Sequence, residues 1–384
     1  MSVDPPRLEQ MLGALVSTAS VSCVDPALDQ SNRPLVALLA EWTERAGFRV
    51  EVLDVPGHPG KVNLVATLGA GTDGLVLAGH TDTVPFDASR WSHDPLRLTE
   101  VDGRYYGLGI ADMKAFFALV LEAARGLDGA DLHAPLTLLA TADEESAMTG
   151  ARALVAAGRR LGRHALIGEP TGLRPVRLHK GVMNESLRLI GRSGHASDPA
   201  LGNSALEGMH EVIGALLAWR DALYKRHHHP AFAIPTPTLN LGHIRGGDNP
   251  NRICGECELL VDLRLLPGMS AETVRAELAE RVAEVGRRRG LEWAVAPLFE
   301  AIPPAETAAD AAIVRACERL TGHPAEAVNF GTEAPFLNQL GMDTVVLGPG
   351  DIAQAHQPDE FLALARIPPT LTLLRGLIRE FCLN

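Results

Sequence analysis

Gly74-Leu75-Val76-Leu77-Ala78-Gly79-His80-Thr81-Asp82-Thr83-Val84-Pro85 is the stretch whose reading decides the fold. An apolar run passes directly into a histidine and an aspartate, and Pro85 closes it. A continuous apolar run of this length reads as a strand buried on both faces, as in a parallel sheet between helices. Its polar residues fall at the C-terminal end. In an α/β sheet the strand C-termini line a common crevice, so side chains distant in sequence converge there.

Similar runs lie on either side. FRVEVLD (48–54), VNLVATL (62–68), LTLLATA (136–142), HALIG (164–168) and DTVVLG (343–348) all read as strands. Helical patterns separate them. Leu8, Met11, Leu12, Leu15 and Val16 recur at helical spacing after a start at Asp4-Pro5. A second helix over 34–46 carries the stripe Leu35, Leu38, Leu39 and Trp42, and Gly47 suits its end. The expected class is α/β, a mixed, mostly parallel sheet flanked by helices. The middle of the chain has another rhythm. MNESLRLIGRS, TLNLGHIRGG, ICGECELLVDLRLL and LEWAVAPL read as strands, interleaved with helices at SALEGMHEVIGALLAWRDAL and at 271–288. This β-α-β-β-α-β order predicts a ferredoxin-like α+β insert at residues 179–298, within a discontinuous domain formed by 1–178 and 299–384.

The 384 residues, 46% hydrophobic, are enough for two cores. A formal net charge of −12 repels phosphate backbones and anionic bilayers, so neither nucleic acid nor membrane is expected as a partner. No run approaches the roughly 18 apolar residues of a membrane span. MSVDPPRLEQ lacks the basic and apolar regions of a secretory signal. Five sparse cysteines do not form a disulfide framework, so a cytoplasmic setting is expected.

Five segments place an acid or a histidine where an apolar strand gives way to a loop: Gly79–Pro85, Gly109–Lys114, Ala142–Ser146, Gly168–Pro170 and Ala355–Asp359. His80, Asp112, Glu145, Glu169 and His356 together supply three carboxylates and two imidazoles. That charge suits two divalent ions, and oxygen and imidazole donors without thiolate favour Zn, Co or Mn.

In this order, over nearly the whole chain, the segments resemble the M20 family of dinuclear metallopeptidases and deacylases. Asn329–Phe336, Leu347–Glu360, Gly194–Pro199 and Asn251–Cys254 resemble most the family's acetylornithine-deacylating branch. The resemblance implies that His80 and Glu169 hold one metal, Glu145 and His356 the other, and that Asp112 bridges the two; the ions would be Zn2+ or Co2+. It makes Glu144 the general base and Asp82 the carboxylate that orients His80. It implies a homodimer, with the insert as dimerisation and lid domain, in which His195 reaches the partner's site as oxyanion donor. Arg252 would bind the substrate α-carboxylate, with Asn251 beside it, and Glu333 would meet the substrate's side-chain amine. A cis peptide between Asp112 and Met113 is implied too. The activity implied is removal of the acetyl group from N2-acetyl-L-ornithine, a step of arginine biosynthesis. Leu108 and Ala115-Phe116 depart from the family pattern, which carries Arg and Gly there.

Other readings stay open on the residues alone. The same centre would serve a succinyl-diaminopimelate desuccinylase, another N-acyl-amino-acid deacylase or a dipeptidase. A silent metal-binding scaffold would not need Glu144. Glu333 also suits a helix N-terminus. Cys254 and Cys257, three apart on a strand, would point to opposite faces and pack separately. His227-His228-His229 reads as a solvated loop and Gly246-Gly247 as a turn.

Overall fold

Leu75–His80 is a strand with every residue buried. It pairs in parallel with Leu136–Thr141 on one side and His164–Ile167 on the other. Asp343–Val346 extends the parallel run beyond His164–Ile167. Val62–Leu68 and Arg49–Asp54 continue the sheet antiparallel past Leu136–Thr141. Val176–His179 pairs antiparallel with Asp343–Val346. The sheet is therefore mixed, with its parallel strands at the centre, where burial on both faces selects the near-continuous apolar runs.

The computed structural model describes residues 4–383. They divide into two compact units. The first takes the chain up to Arg177, then Thr307–Glu326 and the chain from Glu333; the second takes Leu178–Glu306 and Ala327–Thr332. In the first unit, helices Leu8–Ser17, Arg33–Arg45, Lys114–Ala123, Ala312–Thr321 and Ile367–Ile378 share one apolar cluster with the sheet. Lys114–Ala123 is the most enclosed, with only Glu122 and no other residue of its ten outside the core. Phe116 sits where Gly168 leaves space: a Cβ at Gly168 would collide with the Phe116 ring. The bulk at Phe116 is thus accommodated by the glycine that precedes Glu169.

The first helix starts at Leu8, later than Asp4-Pro5 suggests. Pro6 holds its predecessor extended, and the Gln10 side chain accepts the Arg7 N–H at 3.1 Å to cap the turn. A small sheet of Thr99–Val101, Arg104–Tyr106 and Phe361–Ala363 had no periodic signal, because its strands are three residues each.

In the second unit, Gly181–Ile190, Thr238–Gly246, Glu256–Leu265 and Glu292–Pro297 form one antiparallel sheet. Its spatial order is second, third, first, fourth. Helices Ala205–Arg226 and Ala271–Arg289 cover one face. This is the ferredoxin-like arrangement. The third strand begins at Glu256, so alternation does not govern Cys254. Both Cys254 and Cys257 enter the same apolar cluster, not opposite faces. His229 lies 3.6 Å from Glu306, and Gly247 turns the chain at φ +72.

Candidate metal centre

The register of the parallel strands builds the site. Thr141 lies opposite His80, and Ile167 opposite Ala78, so the three strands end nearly level. His80 is the last residue of its strand; Glu144 and Glu145 follow the second strand, and Glu169 follows the third. His80, Asp112 and Glu145 bring donor atoms within 4.8 Å of one another, as do His80, Glu144 and Glu169. The Asp112 carboxylate lies between two imidazoles: Oδ1 is 3.2 Å from His80 Nε2 and Oδ2 is 3.5 Å from His356 Nε2. His356 Nε2 is also 2.9 Å from Glu145 Oε2, and His80 Nε2 is 4.0 Å from Glu169 Oε1. His356 is half exposed, while His80, Asp112, Glu145 and Glu169 are enclosed. The Asp112–Met113 peptide is cis.

The electrostatics suit a cation site. Burial, then the neighbouring carboxylates, push Glu144 and Glu169 well above the ordinary glutamate range; burial also raises Glu145. Burial opposes charge on His80, but its hydrogen bond to Asp112 and the charges of Glu169 and Asp82 outweigh it and raise it well above 6.5. Hydrogen bonds to Asp112 and Glu145 carry His356 up to about 10. Asp112 alone is lowered: burial acts against this, and the two imidazoles prevail. Four acids and two imidazoles crowded together, with five of the six groups shifted towards holding a proton, form a donor set whose negative charge bound cations would offset. Oxygen and imidazole donors of this kind fit divalent metal ions.

Buried groups hold the ligand-bearing loops. The Asp82 carboxylate accepts the N–H groups of Glu144 at 3.3 Å and Glu145 at 3.0 Å. Its distance to His80 Nδ1 is 3.8 Å, whereas its own main-chain oxygen lies at 3.0 Å from that nitrogen. The main chain thus takes the nearer part in orienting His80. Asp143, at φ +60, is gripped by Lys61 Nζ, Ser22 Oγ and Thr149 Oγ1 at 2.7, 3.1 and 2.7 Å. Sequence reasoning passed over Asp143, Lys61 and Glu360. The only hint was that Asp143 lies within one ligand segment and Glu360 directly follows another. Leu108 is buried and lines a hollow of about 80 Å3 with Val84, Trp91, His356 and Glu360.

Glu333 precedes the short helix Ala334–Gln339, but its side chain caps nothing. It is buried, and Thr141 Oγ1 donates to its Oε2 at 2.7 Å while Oε1 has no hydrogen-bond partner. Burial pushes its carboxyl up to about 7.

His195, Asn251 and Arg252 belong to the second unit, where they share one exposed patch. His195 bridges to Arg252, and Asn251 O accepts the Ala196 N–H at 2.9 Å. His195 Nδ1 lies 2.7 Å from Ser197 Oγ and 3.2 Å from Ser197 N, so that edge of the ring faces its own loop. Arg252 Nη1 donates to Asp248 at 2.6 Å. A hollow of about 790 Å3 adjoins them, lined among others by Ala196, Asn249, Arg252 and Arg289.

Comparison with known proteins supplies the context for this geometry. The chain is 50% identical over 377 residues to an acetylornithine deacetylase of Pasteurella multocida (strain Pm70), covering 98% of both chains. It is 49% identical over 383 residues to one of Proteus mirabilis (strain HI4320), covering 100% of this chain and 99% of that one. Solved structures share the fold. Aminopeptidase PepT from Bacillus cereus ATCC 10987 superposes with a TM-score of 0.77 at 22% identity, covering 98% of each chain. A dinuclear metal-binding peptidase of family M20 from Bacillus subtilis does so at 0.66 and 15% identity, covering 97% of each. The family model of peptidase family M20/M25/M40 matches residues 76–380, a span that holds every acid and imidazole of the cluster. This chain is a member of peptidase family M20/M25/M40.

Proposed function

We propose that this chain is a metal-dependent amide hydrolase that removes the acetyl group from N2-acetyl-L-ornithine, releasing ornithine and acetate, as a step of arginine biosynthesis. Glu144 carries the reading. It stands beside Glu145, with a donor atom within 4.8 Å of those of His80 and Glu169, and a purely structural site has no use for an extra acid there. The full-length relatives half-identical to it supply the substrate.

His80 and Glu169 would hold one divalent ion, Glu145 and His356 a second, with Asp112 between them. Zinc or cobalt in these positions would acidify a shared water towards a pKa of about 7 and polarise the acyl carbonyl. Glu144, held high by burial, takes the proton of the attacking water and passes it to the leaving amine. Asp82 fixes the Glu144–Glu145 main chain so that both acids keep their directions. His195 donates from Nε2 to the oxyanion, acting in the site of a second copy within a cytoplasmic homodimer. Arg252 and Asn251 receive the α-carboxylate, for which the guanidinium fork is suited. Glu333, with one unpartnered buried oxygen, receives the side-chain ammonium.

A panel of N-acyl amino acids tests the substrate: acetylornithine, acetylmethionine, succinyl-diaminopimelate and a dipeptide. The expected order of kcat/KM puts acetylornithine first. A succinylated or dipeptide substrate in first place would replace the reading with another activity of the family. Mixing Glu144→Gln with His195→Ala chains tests the action in trans, since heterodimers regain one intact site. No recovery after confirmed subunit exchange would return His195 to its own chain.

A further inference from the structure

Glu360 follows the HQPD run and belongs to no ligand set, yet it is 2% exposed in the first unit. Its carboxylate accepts three main-chain N–H groups of the loop that carries Asp112. Oε1 takes Ala111 at 2.7 Å and Asp112 at 2.9 Å, and Oε2 takes Gly109 at 2.8 Å. Its main-chain oxygen takes the Gly107 N–H at 3.1 Å. One residue thus accounts for four hydrogen bonds along 107–112. The loop also closes on itself through Lys114 N to Gly109 O at 2.7 Å. The buried Lys114 donates from its Nζ to Thr18 O at 2.9 Å.

Glu360 is also covalently close to His356. Asp359, between them, accepts from Ser92 N at 2.7 Å, and Phe361 pairs with Tyr106 in the small sheet. The segment 356–361 therefore delivers an imidazole to Asp112 Oδ2 and, four residues later, holds the Asp112 main chain. The distance between those two groups is set by one short piece of chain, not by the ions they would share.

We propose that Glu360 is a positioning residue of the metal centre: it holds the 107–112 loop so that Asp112 presents one oxygen to each metal before either ion arrives. The proposal rests on the reading of Asp112 as the bridging ligand. A carboxylate in this place does what a glutamine cannot. The amide keeps one acceptor but turns an N–H2 donor towards main-chain N–H donors, so at least one of the three bonds is lost.

The test titrates metal-free protein with Co2+ and follows its visible absorption to count tight sites, with Glu360→Gln beside the wild type. The expected result is two tight sites in the wild type. In the variant the second is weakened about 10–100-fold, the range typical when a group that orients a metal ligand is lost. kcat then recovers at high Co2+ with KM for the acyl substrate unchanged, and Glu360→Asp restores part of the affinity. Wild-type affinity at both sites in Glu360→Gln would overturn the proposal, whatever its activity or Tm. Hydrogen exchange on metal-free wild type serves even if the variant does not fold. The amides of Gly109, Ala111 and Asp112 are expected to be protected already, and protection that appears only after Co2+ is added would overturn the proposal. Fewer than two ions bound by the wild type would defeat the dinuclear reading itself, and this inference with it.

Discussion

The two units differ in whether they gather buried acids in one place. In the first, His80, Asp82, Asp112, Glu169, Glu333 and Glu360 are each under one-tenth exposed and gather at the ends of the parallel strands. In the second, acids and arginines meet mostly at the surface: Arg289 with Glu207 and Glu211, Arg226 with Glu277, Arg188 with Glu256. Arg275–Glu185 reaches deeper, with the Glu185 side chain fully buried. Exposed pairs are screened by water and contribute about 0–1 kcal/mol each. Buried acids cost stability unless something compensates them, and groups shifted this far from their ordinary range cluster where chemistry is done. The buried acids of the first unit are the groups to which the proposed chemistry falls.

The sharpest way to break this contrast is at Glu144. Glu144→Gln is expected to lower kcat by about 10²–10⁴-fold, the usual contribution of a general acid–base group. Metal content, measured on the same sample, should not change. Turnover close to wild type would remove Glu144 from the mechanism.

Glu333→Gln comes next. Loss of a charged partner in an enclosed site costs on the order of 2–5 kcal/mol. Activity on acetylornithine should therefore fall far more than activity on acetylmethionine. Equal losses on both would make Glu333 a support of the Thr141 strand end.

Chelation tests the buried charges together. Glu333, raised to about 7 from 4.5, binds a proton in the folded chain that the unfolded chain has released. Its protonation stabilises the fold fully below about pH 4.5, and that stability is lost as pH rises through about 7. His80 and His356, also raised, act in the same direction. Asp112, lowered, opposes them only in acid below the ordinary carboxylate range. The Tm of metal-free protein should accordingly drop between about pH 5 and 9, and more steeply than that of metal-loaded protein. A flat profile would mean that the acids relax apart without ions.

The smallest effect is expected in the second unit. Arg226→Ala removes an exposed pair with Glu277 and should cost about 0.2–1 kcal/mol in denaturant unfolding, with kcat/KM unchanged. A larger loss would show that the surface pairs of this unit act as a network.

How much of this was legible in the sequence follows from where the information lies. Val62–Leu68 matched its apolar run residue for residue, because burial on both faces leaves no choice of composition. His80, Asp112, Glu145, Glu169 and His356 stood out because each interrupts an apolar-to-loop transition, and the structure brings all five together. Resemblance assigned their roles. What stayed hidden depends on partners far along the chain. Asp82 reads as a companion to His80 two residues away, yet its carboxylate bonds to main chain 62 and 63 positions on. Glu360 reads as one more acid in a loop until its three N–H donors, about 250 residues earlier, are seen around it. The return of Ala327–Thr332 to the second unit had no composition signal at all.

The level ends of the parallel strands have a consequence for how such a site can vary. His80, Glu145 and Glu169 each leave the sheet at a separate strand end, like posts set into one floor. A length change beyond one strand end leaves the other two where the hydrogen-bond register keeps them. Lineages can therefore rework the loops beyond the donors, and with them the choice of acyl group or amine, without rebuilding the floor.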